Sequence, residues 1–469
     1  MSSKMDRRNF LQLAGCGGMS MLPFMSSLLS LNKLNAAAGS ALNLSASNDY
    51  RALVCVLLAG GNDSYNMLVP RGDGEYATYA TTRSNLALPQ ESILPLSQSL
   101  QTGLDLGIHP SMPEIKQLYD QQKVSFIANV GTLVEPTTRD QINNQQVRLP
   151  VGLFSHSDQA MQWQTSVPQD REALGWGGKM ADLLTSMNEN DNISMNISLS
   201  GNNVFQVGQE TVQYTINPAA GGAETIFGYN GPGVFEQIQT SVIDNLLEQQ
   251  YQNIFQQTYA NTINTGLRAN EEFANAIAGV PPLSTPFNAN NELSVNLNMI
   301  ARTIAARDTL QFRRQVFFVV VGDWDHHDEL TNAHAASLTQ VSQAFGEFQV
   351  ALAELGVEDC VTTFSISDFA RTLTSNGNGT DHGWGGNAMV MGGAVNGGEV
   401  FGLYPDLAIQ SSLDVGDGVL IPTTSTDEYF AELALWMGVS PNDLSAVLPN
   451  IGNFYSPGSP ELPIGFMNL

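Results

Sequence analysis

Five stretches of this chain are predominantly apolar or β-branched: Arg51–Ala59, Lys123–Val130, Gln315–Val321, Val361–Phe364 and Ala388–Gly393. Short continuous runs of this kind predict strands covered on both faces, as in a largely parallel sheet sandwiched between helices. Between the third and fourth runs, Thr331–Leu355 carries apolar residues at helical spacing. That order predicts a strand–helix–strand unit with parallel strands. Ser111–Gln121 and Asp427–Met437 predict further helices. Ile193–Leu199 and Val204–Val212 alternate polar and apolar residues, which predicts a half-exposed peripheral hairpin. Residues 234–308 read as helical, rich in Gln, Asn and Glu and broken at Pro281-Pro282, and form the candidate for a helical insertion. The predicted fold is α/β, with a doubly wound, mostly parallel sheet, helices on both faces and that insertion.

The first forty residues follow a different rule. Asp6-Arg7-Arg8-Asn9-Phe10-Leu11-Gln12 precedes a Gly-, Met- and Leu-rich apolar stretch and then Ala36-Ala37-Ala38. This is the pattern of a twin-arginine export signal with a small-residue cleavage site, giving a leader over residues 1–38 and a body over 39–469. Cys16 sits too early in the apolar run to read as a lipidation site. The expected compartment is periplasmic or extracellular, with no membrane span in the mature chain. Of 469 residues, 42% are apolar and only 14% charged, and the net charge is −26. Removing the leader takes away Lys4, Arg7, Arg8 and Lys33 against Asp6 alone, which moves that charge to −29. A surface so acidic repels nucleic acid. Cys55 and Cys360 each border or lie in an apolar run and read as buried free thiols.

The chemistry gathers where the apolar runs end. Gly60-Gly61-Asn62-Asp63 closes the first run, Asp323-Trp324-Asp325-His326-His327-Asp328 follows the third, and Ser367-Asp368-Phe369-Ala370-Arg371 follows the fourth. The ends of parallel strands are where an open sheet presents reactive groups. All but one of the six histidines lie in or beside such motifs, the exception being His109, read as structural. Imidazole together with carboxylate suits zinc, manganese or iron, whereas carboxylates alone suit calcium or magnesium. In Asp325-x-His327 alternate residues share a face, so both reach one ion, while His326 points the other way and His334 is expected on the next helix facing solvent. His382 lies in Gly379-Thr380-Asp381-His382-Gly383, a turn whose glycines let backbone approach closely. Arg371 is placed to clamp an anion or to neutralise neighbouring aspartates. Ser155 and Ser157 flank His156 at a predicted helix start, where an anion is favoured and a hydroxyl beside a metal is a candidate nucleophile; Ser64 is a third.

Taken in order, GGND, Phe154-Ser155-His156-Ser157-Asp158, Asp325-x-His327, Ser367–Thr372 and Gly379–Gly383 resemble the secreted family catalogued as domain of unknown function number fifteen-oh-one. That family is grouped with the alkaline phosphatase and sulfatase superfamily. The resemblance spans nearly all of the mature chain. It implies an alkaline phosphatase-like sheet and hydrolysis of phosphate or sulfate esters, with a small molecule or saccharide as the ester. It also implies one or two divalent ions, zinc, manganese, calcium or magnesium, with Asp63 and Asp368 holding one and Asp325, His327 and His382 the other. Ser155, Ser157 or Ser64 would attack, with Arg371 orienting the anion. Phe369 stands where the phosphatases carry an imidazole, and no Cys-x-Pro-x-Arg motif is present. The alternative implied by those departures is an exported, non-enzymatic protein that keeps the fold and binds surface carbohydrate or a protein partner.

Overall fold

A computed structural model describes residues 49–469 apart from positions 98, 224 and 225. The expected leader lies outside the described residues. The main sheet contains β1 (Arg51–Leu58), β2 (Val124–Gly131), β3 (Asn196–Ser198), β4 (Tyr214–Thr215), β5 (Arg314–Val321), β6 (Val361–Ser367), β7 (Gly386–Gly392), β8 (Val400–Phe401) and β9 (Thr424–Ser425). Its order is β8-β2-β7-β6-β1-β5-β3-β4, with β9 also on β2. Only β7 runs against its neighbours, β2 and β6; the other pairings are parallel. The helices used below are α1 (Pro113–Asp120), α2 (His156–Thr165), α3 (Trp176–Leu184), α4 (Val234–Glu248), α5 (Ile254–Ala278), α6 (Glu292–Ala305), α7 (Leu330–Glu354) and α8 (Thr426–Met437).

β1 is buried from Ala52 to Leu58 and β2 along its whole length, so both side-chain faces of the sheet's middle are covered. One layer is made by α1, α6 and α7, with α7 packed on both others; α2, α3 and α8 make the second, α3 joining α8 through Leu444–Val447. Full burial of each Val, Leu or Phe in these strands is worth roughly 1.5–3 kcal/mol, which is why the apolar runs end up at the centre.

Register sets up the site. β1 lies between β5 and β6, with Leu58 opposite both Val321 and Ser367. The three segments that follow, beginning at Ala59, Gly322 and Asp368, therefore leave the sheet side by side. The predicted β5–α7–β6 unit is present, passing over β1.

The expected peripheral hairpin is not formed. β3 is buried and adds in parallel to β5, while residues 204–212 form a loop. Asn196 and Gln206, two of the polar positions that gave the alternating pattern, are internal and hydrogen-bonded. The Asn196 amide donates to the Gln206 carbonyl, and the Gln206 amide donates to the carbonyls of Ile197 and Val316. Within the region 234–308, α6 packs on α7 and β5 as part of the body, so the part that stands off is the hairpin of α4 and α5. Cys55 and Cys360 are free, the first buried and the second half-buried. No described helix is long and apolar enough to cross a membrane.

Candidate metal centre

The burial alternation of β5 outlasts the strand itself. Trp324 and His326 are buried while Asp323, Asp325 and His327 are exposed, so the inside–outside rhythm delivers Asp325 and His327 to the same side, as expected from their spacing. Backbone contacts pin this segment to β1: the Trp324 N–H donates to the Ala59 carbonyl. Gly60 makes the approach possible. It adopts φ +123°, and a Cβ there would lie 2.5 Å from the Asp325 nitrogen.

The histidines fall into two groups. His156, His327 and His382 surround Asp325. His109, His326 and His334 pack beneath as a buried set, with His334 stacked edge-on at 5.8 Å from each of the others. The solvent-facing position expected for His334 is thus overturned: it is 1% exposed and bonds through Nε2 to Asn62 Oδ1 at 2.9 Å. Burial favours the neutral form of all three, lowering His109 to about 4, His334 well below its ordinary value and His326 in the same direction.

Around Asp325 every imidazole is oriented by an oxygen. His382 Nδ1 lies 2.7 Å from the Phe154 carbonyl, which only accepts, so its proton is on Nδ1. His156 Nδ1 meets the Asp368 carboxylate at 2.8 Å, and His327 Nδ1 meets that of Asp381 at 3.2 Å. Each ring thereby turns its Nε2 toward Asp325. His327 Nε2 lies 3.1 Å and His382 Nε2 3.7 Å from Asp325 Oδ1, and His156 Nε2 lies 3.5 Å from Oδ2. The Nε2 atoms of His327 and His382 stand only 2.9 Å apart. At that distance the two nitrogens share either a proton or a cation. Ligand atoms of His156, Asp325 and His382 all fall within 4.8 Å of one another. Donors about 2.1 Å from one tetrahedral zinc would stand roughly 3.4 Å apart, so the set fits a divalent ion. The Nδ1–oxygen bonds are the usual means of fixing the rings of metal-binding histidines.

The remaining predicted residues are placed around this centre. Asp368 stands behind His156 and accepts the Gly60 N–H at 3.1 Å; burial raises its carboxyl, against the pull of His156. Arg371 has a fully buried side chain and donates to Asp325 Oδ1 at 2.6 Å and to the Gly60 carbonyl at 3.2 Å. Of its two expected roles, this geometry is that of neutralising an aspartate. Burial alone would raise Asp325, yet the Arg371 hydrogen bond and charge hold it below the usual carboxylate range. Asp63 is fully buried and paired with Arg83 beside the cluster, a pair the sequence offered no sign of. Burial raises the Asp63 carboxyl and Arg83 opposes that rise. Ser64 is buried, its Oγ accepting the Asn387 N–H at 2.8 Å. Ser155 caps α2, its Oγ accepting the Asp158 N–H at 3.4 Å, while Ser157 is exposed on the first turn with its Oγ 3.2 Å from that of Ser155.

Three residues of these motifs take roles that the sequence did not assign to them. Phe154 supplies its carbonyl from a left-handed backbone, φ 73°. Asp381, inside a motif already singled out, orients His327. Phe369, at 1% exposure, is the floor of the site: its ring lies 4.6 Å from His382, stacked at 29°, and 4.8 Å from His156.

The sequence profile of the family described as "Protein of unknown function (DUF1501)" matches residues 50–444. No curated protein matches the chain. Among solved structures it is similar to the PsFucS1 sulfatase from Pseudoalteromonas sp., at 11% identity over 87% of this chain and 71% of that one, with a TM-score of 0.32. It is also similar to Ps i-CgsB in complex with a neocarrahexaose, at 10% identity over 83% and 72%, TM-score 0.31. A third is the lipoteichoic acid synthase LtaP from Listeria monocytogenes, at 8% over 69% and 57%, TM-score 0.26. Superpositions this loose leave the chemistry to be argued from the chain's own side chains.

Proposed function

The chain belongs to the DUF1501 family, and we propose for it a metal-dependent hydrolysis of phosphate or sulfate esters, carried out after twin-arginine export. The observation that carries this reading is the convergence of three imidazole Nε2 atoms on the Asp325 carboxylate, each ring held by an oxygen at Nδ1. His156, Asp325 and His382, with His327 beside them, would hold the ion, which when bound supplies a Lewis acid for an ester oxygen. A cation set beside a helix N-terminus selects for an anionic, oxygen-rich group, which is the case for preferring phosphate or sulfate to a neutral ester.

Within this reading Ser157 attacks. Its hydroxyl is exposed on the first turn of α2, directly after His156, whereas the Ser155 Oγ is engaged as the cap and Ser64 is enclosed. Its oxygen bonds to phosphorus or sulfur, the alcohol leaves with a proton, and water then releases the acid and restores the hydroxyl. The His156 and Ser157 amides at that helix start would meet the charge that builds on the transferred group, the Asp158 amide being taken by Ser155. Arg371 fixes Asp325, and Asp368 fixes His156; neither has to touch substrate.

Aryl phosphates and aryl sulfates test this directly. The natively exported protein should turn over at least one class. Ser157→Ala should keep its metal yet lose turnover by about 10³-fold or more, and Asp325→Ala should lose both. Full metal loading with no turnover of either ester, together with saccharide binding, would replace the hydrolase with the non-enzymatic reading.

A further inference from the structure

α4 packs against α5 and makes no comparable contact with the body. Across its fifteen residues none is buried. An isolated helix of this length is marginal in water, because helices in proteins are held mainly by covering an apolar face. That face exists: Val234, Phe235 and Ile238 on α4, and Ile254, Phe255 and Tyr259 at the start of α5, are all more than half exposed, Phe235 at 76% and Phe255 at 82%. Between the helices runs an apolar groove of about 650 Å³. Only the second half of α5 is anchored to the body, with Phe273 fully buried 5.6 Å from Tyr214.

We infer that this face is covered by the same face of a second copy, the two hairpins closing into an antiparallel four-helix bundle about a two-fold axis. The size is right. Phe235, Phe255 and Tyr259 offer on the order of 150 Å² each, and Val234, Ile238 and Ile254 add to them toward the roughly 800 Å² per partner of a stable interface, where monomers seldom expose more than a few hundred. The charge also points to a protein face. From Ile226 to Ile263 the chain has Glu236, Asp244 and Glu248 and no Lys or Arg, and Asp244 is already bonded to the Tyr229 hydroxyl at 2.7 Å. Charge depletion marks the centre of an interface. The lack of any basic residue removes the attraction that holds amphipathic helices on anionic membranes. A self-complementary patch meets itself without requiring a second protein.

Sedimentation of the full chain at micromolar concentration tests this. Wild type should sediment as a dimer that tightens as salt screens the mutual repulsion of two acidic copies. Phe235→Glu with Phe255→Glu should be monomeric while retaining near-ultraviolet circular dichroism and melting temperature. Hydrogen exchange offers a check that needs no variant: α4 amides of the wild type should become protected as protein concentration rises. A wild-type monomer with unprotected α4 would overturn the inference, as would a double variant that still dimerises. A monomer that floats with neutral phosphatidylcholine vesicles would overturn it too, and give the face to lipid.

Discussion

At the scale of single residues, the site is defined more by what orients the ligands than by the ligands themselves. Asp368 accepts from His156 and so keeps its Nε2 free; Asp368→Asn leaves the fold but loosens that ring. Oxygen partners of metal-binding histidines are typically worth 10–100-fold in affinity, and titration calorimetry with zinc or manganese should show a loss in that range. Asp63→Ala should cost far more stability than a surface change, about 3–5 kcal/mol by denaturant unfolding, because it leaves Arg83 charged and fully buried. Asp427 makes a pH prediction away from the site. Wholly buried on the first turn of α8 and accepting from Ser166 at 2.8 Å, its carboxyl is pushed up to about 7, chiefly by burial. Between about pH 4 and 7 the folded chain keeps a proton there that the unfolded chain has lost, so stability falls as pH rises through that window and the deficit persists above it. Asp427→Asn should erase the deficit, melting higher than wild type at pH 8 and alike at pH 4.

At the scale of elements, the continuous apolar runs translated into buried strands because burial on both faces leaves no other option for such segments. The pairing of Asp325 with His327 was equally legible, since the two-residue rhythm of β5 persists into the loop. What did not translate were polar residues whose partners come from distant elements. Asn196 and Gln206 look like surface residues until their amide contacts with each other's segment and with β5 are seen, and His334 looks solvent-facing until Asn62 stands against it. The β1 turn is a tight element of the site. Gly60→Ala adds a Cβ within 2.5 Å of Asp325 backbone at a φ that disfavours any side chain. A melting experiment should show a loss of about 1–3 kcal/mol or more, with metal affinity falling alongside.

At the scale of the whole molecule, an acidic chain of net charge −26 places its cation-fitting cluster where three parallel strands end in register. Arg371 and Arg83 each neutralise one aspartate there, so His156, Asp325, His327 and His382 form a neutral-to-acidic cup rather than an uncompensated negative hole. The central claim is that a divalent ion sits among those four side chains. X-ray absorption at the zinc edge, on the full protein loaded with one equivalent, tests it most directly. The account predicts imidazole nitrogens and carboxylate oxygen at about 2.0–2.2 Å, with the imidazole signal reduced in both His156→Ala and His382→Ala. A spectrum of water oxygens alone, or one unchanged by both substitutions, would contradict it.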